Sequence, residues 1–567
     1  MEEGRREASE LRFSADARQY YIERMGNEAF DVLVIGGGIT GVGIARDAAL
    51  RGLKTALIEK DDFGAGTSSN SSKLVHGGFR YLKQGQFGLV REALVERKTL
   101  MDLAPHLVHP MTCILPVHRG SRADALLIPI GMWLYDTLAF GRKIGRHRML
   151  SGEVFHKTEP GYRQEGVRKA VQYYDCWADD FRLVMATVQS AAQHGAVTAN
   201  YVEAVDAIME NGRVAGVLAR DCFSGKEIPI RSCVVVNATG PWSDSVRRSL
   251  VQQQDRRVRL TKGVHLIVAI QDLPLQNALM QFAVQDRRPI FAIPWENSVL
   301  LGTTDTDYEA DLNQIPSDRD DVDYILESFN YYFPQARLTY DHVVSTFAGL
   351  RPLIFEEGKP VSKISREYQI FEGPDSFFSI IGGKLTTYRT MAKRMVDRLV
   401  ERLTVSHGVT LVKSRCVTDR VPLFGGEMEG YEQFRKKWVS RLIDEFHLDR
   451  QIALHLIETY GTCIRTVLGA IEETSGGTER ILPDLPYLWG ELPYVMDHEM
   501  AQTLDDFLMR RTHIHLFDRR HGMDVYQEVA DRMQKHLGWS DRGEDAQINR
   551  YKLGVRLAQR FREESPT

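Results

Sequence analysis

Three separated segments set glycines beside cationic or hydroxyl side chains: "HGGFRYL" (76–82), "FAGLRPLI" (347–354) and "GGKLTTYR" (382–389). With "TKGVHLIV" (261–268) and "SKISREY" (362–368) they supply Arg80, Tyr81, His265, Arg351, Arg366, Lys384 and Thr386. Guanidinium forks grip phosphate or carboxylate through two parallel hydrogen bonds, and lysine adds a compact charge. Brought together, these groups would bind a small anion. Spacing alone does not bring them together, and an arginine taken singly is more often a surface or ion-pair residue. His265 is the natural proton acceptor, because imidazole titrates near neutrality. A hydrogen-bonded histidine on a sheet would look the same. His76, or a lysine or arginine that steadies a developing alkoxide, is a rival for the role.

The elements that must position them begin with "DVLVIGGGITGVGIARDAALRGLKTALIEK" (Asp31–Lys60). Val32–Ile35 reads as a buried parallel strand, Ile39–Leu50 as a helix, and Lys54–Lys60 as a second strand. Gly36-x-Gly38-x-x-Gly41 lies in the turn between the first strand and the helix. These glycines permit a tight turn, close approach of a pyrophosphate, and helix–strand packing. The helix N-terminus offers free N–H groups to the phosphates. Glu59 follows Gly36 by 23 residues, where a ribose hydroxyl needs an acid. An acid there disfavours a 2′-phosphate and leaves FAD or NAD. The Gly/Thr/Ser-rich run Asp61–Leu82 favours FAD, since its backbone and hydroxyls can wrap a flavin and a pyrophosphate.

Composition narrows the class. The chain has 567 residues, of which 26% are charged and 43% hydrophobic, as expected for a soluble globular protein. A net charge of −4 carries no nucleic-acid footprint. Cys113, Cys176, Cys222, Cys233, Cys416 and Cys463 are scattered without a CxxC, which suggests neither zinc nor a disulfide framework and fits a reducing cytoplasm. The first 30 residues lack the apolar stretch of a signal peptide. "ALLIPIGMWLY" (Ala125–Tyr135), interrupted by Pro129, is too short to span a bilayer. With the basic "GRKIGRHR" (Gly141–Arg148) it reads as a buried helix and a solvated loop; the other reading is a face on an anionic membrane.

Residues 1–29 read as a polar arm. Residues 30–415 are expected to form one FAD-dependent region, with FAD-binding segments near 30–100, 170–250 and 376–405. Substrate-binding segments near 101–169 and 251–375 interleave with them. A helix capped at Asp179 or Asp180, an Asn211-Gly212 hairpin and a buried Cys233–Asn237 strand are expected. Residues 255–385, including "FFSIIGGK", read as an antiparallel substrate sheet. Residues 416–567 read as a helical domain for packing, oligomerisation or partner binding. The expected fold class is α/β and α+β: a Rossmann-like dinucleotide-binding domain, a mixed or antiparallel substrate sheet, and a C-terminal helical domain. "THIH" (Thr512–His515) reads as packed histidines rather than a metal site, and "DRDDVDY" (Asp318–Tyr324) as a solvated helix start.

"IGGGITGVG", "GTSSNSSKLVHGGFRYLKQG", "YYDCWADDFRLV", "NATGPW", "TKGVHLIV", "FAIPW", "LGTTDTDY", "FAGLRPLI", "ISREY" and "GGKLTTYRTMA" occur in this order. The order resembles that of FAD-dependent, quinone-linked glycerol-3-phosphate dehydrogenases, from about Phe30 to Met391. The resemblance implies a glutathione-reductase-type FAD domain with a mixed-sheet substrate domain and a helical C-terminal domain, and oxidation of sn-glycerol 3-phosphate to dihydroxyacetone phosphate. Electrons would pass to a membrane quinone from a dimeric enzyme peripheral to the inner face of the cell membrane. It implies substrate contacts at Arg80, Tyr81, Arg351, Arg366, Lys384 and Thr386, with His265, Arg351 and Lys384 at the chemistry. FAD contacts are expected at Gly36, Gly38, Ile39, Thr40, Gly41, Glu59 and Lys60. Further contacts are expected at Gly66, Thr67, Ser68, Ser69, Ser72, Lys73, Leu74, His76, Gly77, Gly78, Ala204, Ala238, Thr239, Gly240, Trp242, Gly383, Lys384, Leu385 and Thr386. An oxidase that reduces oxygen to peroxide would share the substrate residues, but such relatives usually carry an inserted segment with no counterpart here. A form with iron–sulfur partners would be expected to end in a cysteine-rich module, whereas Cys463 is the one cysteine beyond 420. A non-catalytic flavoprotein could lose the cationic residues, which are retained here.

Overall fold

The computed structural model describes residues 13–78, 81–82, 85–118, 122–142, 144–359, 366–374, 376–408 and 415–563, without side chains for 122–129. Val32–Ile35 of strand Ala29–Ile35 is buried on both faces of the sheet and is therefore apolar throughout, and strands flank it on both sides. Val34 pairs in parallel with Val236 on one side and with Leu57 on the other. The first sheet runs Tyr368–Glu372, Phe377–Gly382, Glu227–Asn237, Ala29–Ile35, Thr55–Ile58, Val197–Ala199. Antiparallel strands Arg213–Asp221 and Val202–Glu210 extend it from Glu227–Asn237.

The strand of "FFSIIGGK" corrects one expectation. Phe377–Gly382 does not join the substrate sheet; it pairs in parallel with Glu227–Asn237, Val235 opposite Phe377. A short, fully apolar run suits either sheet, so the sequence could not decide between them. Its position matters, because it carries Gly382–Lys384 out of the nucleotide-binding sheet.

The second sheet is mixed. It runs Thr306–Asp307, Val258–Ala269, Ser298–Gly302, Pro289–Trp295, Ala278–Phe282, Val108–His118, Val167–Ala178, Leu74–Val75. Strand Val343–Ile354 pairs along Val258–Ala269, setting Arg351 opposite Thr261 and Phe347 opposite His265.

Local signals act as expected at several points. Asp179 caps the helix Asp180–Gln193, its Oδ1 accepting from the Arg182 N–H at 3.0 Å. Asn211 and Gly212 join their strands with φ of 52° and 79°, as the tight hairpin turn requires. Asp318 and Asp321 form a capping box on the helix Arg319–Tyr332. That helix start is only partly solvated: Asp321 is buried, and Lys262 Nζ pairs with both acids.

The arm is not simply polar. Helix Ala17–Asn27 buries Tyr21, Ile22 and Met25, and Arg18 donates to Asn200 O, Tyr201 O and Asp221 Oδ1. Helices Tyr431–Asp444, Arg450–Tyr460, Ile464–Glu473 and Tyr526–Leu537 build a separate C-terminal core. A buried ionic knot joins that region to the first sheet. Asp62 pairs with Arg510 and Arg511, Arg510 with Asp506, and Arg182 with Glu499. No helix among the described residues is long and apolar enough to cross a membrane.

Candidate functional site

The glycine turn is built for backbone approach. Gly36 has φ +108°, and a Cβ on it would lie 2.7 Å from the Ala238 carbonyl oxygen. A Cβ on Gly41 would overlap the Gly36 carbonyl oxygen. Gly38 is the N-cap of the helix Ile39–Leu50, whose first turn holds no acid, so its free N–H groups suit an anion. The second loop meets this turn where Ile39 N–H donates to Ser68 Oγ at 2.9 Å. Glu59 Oε2 accepts from Gly37 N at 2.6 Å and Oε1 from Asp61 N at 2.9 Å. Burial and the neighbouring Asp61 push the Glu59 carboxyl up to about 7.

Other expected cofactor residues surround this turn. Lys60 Nζ lies 4.2 Å over the Trp242 ring, and a Cβ on Gly66 would lie 3.1 Å from the same ring. The Trp242 indole N–H is buried with no hydrogen-bond partner among the described residues. Thr239 Oγ1 donates to Asn237 Oδ1 at 2.7 Å, and Gly240 follows at φ +55°. Thr67 Oγ1 donates to Leu350 O, tying the loop to the second sheet, and Ser69 Oγ donates to Gly64 O within the loop. Val202 N–H donates to the Glu59 carbonyl, placing half-buried Ala204 on the strand just beyond. Thr40 is half-buried in the first turn of its helix. A cavity of about 550 Å3 adjoins Lys60, Gly66, Thr67, Asn70, Trp242 and Phe347. Side-chain-free turns, a helix N-terminus, an acid at the strand end and this space fit a dinucleotide cofactor.

The loop carrying Ser72 to Gly78 is held by two buried acids. Asp180 accepts from Ser71 N and Oγ and pairs with Lys73 Nζ at 2.5 Å. Lys73, at φ +55°, leads into strand Leu74–Val75. Asp175 Oδ1 accepts from Gly77 N at 3.1 Å, Tyr135 OH at 2.8 Å and Arg97 Nη1 at 2.6 Å. His76 N–H donates to Thr386 Oγ1 at 3.2 Å, linking this loop to the segment after Phe377–Gly382. In that segment Leu385 packs on the core and Gly383, at φ +96°, leaves room for Met391. Lys384 Nζ lies 3.6 Å over the Tyr81 ring, and Gly78 leaves space for that ring.

Arg351 and Arg366 converge on one acid. Arg351 Nη1 donates to Asp305 Oδ1 at 3.3 Å, and Arg366 Nη2 to Asp305 Oδ2 at 2.8 Å. Arg351 also donates to Thr304 O at 3.2 Å and Thr303 Oγ1 at 3.1 Å. Burial pushes the Asp305 carboxyl up, but Arg351 and Arg366 outweigh it and hold the group below its ordinary range. Gly263 makes this possible, since a Cβ there would lie 2.6 Å from Arg351 Cζ. Arg366 and Lys384 flank the terminal pair Tyr368↔Gly382, so both cations leave the same end of one strand pair.

His265 sits on the neighbouring strand, stacked on Phe347 with ring centroids 4.8 Å apart. Its Nε2 lies 2.9 Å from Ser72 Oγ, and its Nδ1 is buried without a hydrogen-bond partner among the described residues. A Cβ on Gly302 would lie 2.5 Å from the imidazole Cδ2. Burial, then Arg351 and Lys73, hold its pKa well below the ordinary imidazole value.

The structure thus joins His265 with Ser72 and Arg351 with Arg366, and it joins Lys384 with Tyr81 and Thr386 with His76. Arg80 lies outside the described residues. Sequence reasoning missed Asp305, Thr303, Gly302 and Gly263, although the first three lie in "LGTTDTDY" and the last in "TKGVHLIV". An acid among cations was the available signal, and it carries meaning only once strands bring Arg351 and Arg366 to it. The histidine pair is separated: His513 Nε2 bonds Asp179 Oδ2 at 2.6 Å, while His515 is buried beside His521.

Residues 31–398 match the FAD dependent oxidoreductase family, and residues 416–544 match the C-terminal domain of alpha-glycerophosphate oxidase. The chain belongs to the FAD-dependent oxidoreductase family, and its cofactor is FAD. Aerobic glycerol-3-phosphate dehydrogenases from several Staphylococcus aureus strains are 37% identical over 552 residues, with 97% of each chain covered. The structure of glycerol-3-phosphate dehydrogenase from Bacillus halodurans complexed with FAD matches with TM-score 0.80 and 33% identity, covering 96% of this chain and 98% of that one. L-alpha-glycerophosphate oxidase from Mycoplasma pneumoniae with FAD bound shares the fold, at TM-score 0.54 and 17% identity over 70% of this chain and 99% of that one.

Proposed function

We propose that this protein oxidises sn-glycerol 3-phosphate to dihydroxyacetone phosphate and passes the electrons to a membrane quinone. The observation that carries the reading is the pair Arg351 and Arg366, both fixed by Asp305 beside the buried imidazole His265. The similarity to aerobic glycerol-3-phosphate dehydrogenases supports it. Residues 30–100, 170–250 and 376–405 hold FAD, residues 101–169 and 251–375 carry the substrate side, and 416–567 form a helical cap.

Bound FAD supplies the two-electron acceptor for the hydride that leaves C2 of the substrate. The turn at Gly36–Gly41 and the helix N-terminus bind its pyrophosphate, and Glu59 binds the ribose. Arg351 and Arg366 grip the substrate phosphate, which carries about two negative charges. Asp305 holds both forks in place beforehand, so little side-chain entropy is lost on binding. Arg80, Tyr81, Lys384 and Thr386 orient the hydroxyl end.

His265 takes the proton from the C2 hydroxyl. With its Nε2–H donating to Ser72 Oγ, Nδ1 carries the lone pair that accepts it. Its lowered pKa keeps the imidazole neutral and ready to accept at neutral pH. Lys384 and Arg351 steady the developing alkoxide.

The working form is a homodimer, peripheral to the cytoplasmic face of the membrane. Reoxidation of the substrate-reduced protein distinguishes dehydrogenase from oxidase. Fast reoxidation by a soluble quinone analogue and slow reoxidation by oxygen is the expected result. Fast reoxidation by oxygen with stoichiometric peroxide would make the protein an oxidase.

A further inference from the structure

Three elements converge on one amide of the loop that follows strand Leu74–Val75. That strand pairs with Val167–Ala178 as far as Val75↔Cys176. Beyond that pair, Gly77 N–H is taken by side chains: it lies 3.1 Å from Asp175 Oδ1 and 3.1 Å from Tyr135 OH. Tyr135, on helix Arg122–Leu138, donates to the same carboxylate oxygen at 2.8 Å. Arg97, on helix Phe87–Leu103, donates to it at 2.6 Å. A Cβ on Gly77 would overlap the Tyr135 hydroxyl, so this approach needs a glycine.

The charged pair is buried, Asp175 being 4% and Arg97 2% exposed. Arg97 Nη1 also donates to Tyr174 O at 2.6 Å, and its guanidinium lies 5.9 Å from the centre of the Tyr135 ring. One amide N–H needs only a neutral acceptor, such as an amide or hydroxyl oxygen. Burying an acid and a guanidinium there costs desolvation of both. The pair is therefore more than the packing of the loop demands.

Its geometry also fixes the peptide in front of it. The one cis peptide among the described residues is Gly302–Thr303, so the His76–Gly77 peptide is trans. The C=O and N–H of a planar trans peptide point in opposite directions. With Gly77 N–H turned to Asp175, the His76 carbonyl points away from the carboxylate. His76 N–H, one residue earlier, leaves toward Thr386 Oγ1 at 3.2 Å, as expected where amides alternate sides along an extended chain. The loop thus turns its His76 carbonyl away from the ion pair, which lies behind it.

We propose that Asp175 is a positioning residue for the flavin: it turns the His76–Gly77 peptide so that the His76 carbonyl faces the cofactor, and with Arg97 it holds the buried charge behind that peptide at zero, which sets the reduction potential of the bound FAD. This rests on the reading above that residues 30–100 and 376–405 hold FAD. Electrons that enter the flavin bring negative charge, so an uncompensated cation nearby draws them in and an anion repels them. Buried charges are screened little by salt, so the balance between Asp175 and Arg97 is felt at the loop.

The reduction potential of the FAD-loaded full chain is measured anaerobically against a reference dye, with dithionite as reductant and no substrate present. Asp175→Asn leaves the Arg97 guanidinium, which cannot lose its proton, uncompensated, and the potential should rise. Asp175→Asn with Arg97→Met removes both charges and should return the potential to the wild-type value. Tyr135→Phe keeps both charges but removes one acceptor of Gly77 N–H; it should keep the wild-type potential and release FAD several-fold faster. An unchanged potential in Asp175→Asn would overturn the proposal. An equal shift in the single and double variants would also overturn it, since loosened packing alone would move both alike. Should Asp175→Asn fail to fold, the other two variants decide. A double variant displaced from the wild-type potential, or Tyr135→Phe releasing FAD at the wild-type rate, would then overturn it. If sn-glycerol 3-phosphate fails to bleach the flavin while the potentials move as expected, the substrate reading falls and the role of Asp175 stands; bleaching with unmoved potentials gives the reverse.

Discussion

Arg366 lies 2.8 Å from Asp305 Oδ2, leaving the other oxygen of the same carboxylate to Arg351. One acid thus aligns two guanidinium forks on separate segments. Hydrogen bonds to charged groups contribute about 1.5–3 kcal/mol each. Asp305→Asn should therefore raise KM for sn-glycerol 3-phosphate about 10- to 100-fold, with flavin content unchanged. Steady-state kinetics on flavin-matched preparations checks this, and an unchanged KM would remove Asp305 from the positioning of the two arginines.

Gly263→Ala tests the same geometry from the opposite strand. The added methyl would fall 2.6 Å from Arg351 Cζ, so the guanidinium must move. A displacement of that size should cost about tenfold or more in kcat/KM. Gly302→Ala should instead displace the imidazole of His265 and lower kcat more than it raises KM.

His265 is held neutral by burial and by Arg351 and Lys73, so its pKa lies well below the ordinary value. Protonation of this residue therefore should not depress kcat/KM near pH 6.5, and its acid limb should appear only at lower pH. His265→Asn should slow flavin reduction by about 10²–10⁴-fold, the usual contribution of a general base. Stopped-flow reduction across pH checks both statements. A wild-type rate for the variant would pass the role to His76 or to a cationic residue.

The raised pKa of Glu59 links flavin binding to protons. The flavin-free carboxyl holds its proton up to about pH 7, whereas the ribose is bound by the ionised form. Binding should then release a proton below pH 7, and affinity should fall about tenfold per pH unit as pH drops further. The same shift means that the flavin-free fold loses this group's stabilising contribution as pH rises from the ordinary carboxyl range to about 7. Calorimetry in buffers of different ionisation enthalpy measures the proton release, and Glu59→Gln should abolish it.

Asp62 sits fully buried between Arg510 and Arg511. Removing one partner of a buried pair costs about 3–5 kcal/mol, because the other charge is left uncompensated. Asp62→Leu should lower the unfolding temperature and loosen the helical region from the first sheet, seen as faster amide exchange in 503–517. Unchanged exchange would show that apolar contacts alone hold the two together.

Much of this was legible in the sequence where short-range physics decides the outcome. The Gly36–Gly41 turn, the Asp179 cap and the Asn211-Gly212 hairpin each depend on a few neighbouring residues. The placement of Phe377–Gly382 was not legible, because an apolar strand does not name its partner strand. Asp305 was missed for a related reason: its role exists only where two strands and the segment leading to Tyr368 meet. The buried-helix reading of Ala125–Tyr135 holds for Met132 and Tyr135 but not for Ile130 and Trp133, which are exposed, since apolar spacing does not say which residues turn inward.

The central claim is tested most directly by anaerobic mixing of the flavin-loaded protein with sn-glycerol 3-phosphate, followed by flavin absorbance, for wild type and Arg351→Ala. Rapid bleaching of the wild type is predicted, together with a variant that keeps its flavin but needs at least about 100-fold more substrate to bleach. No bleaching of the wild type, with FAD bound, would contradict the assignment of substrate and leave only the fold.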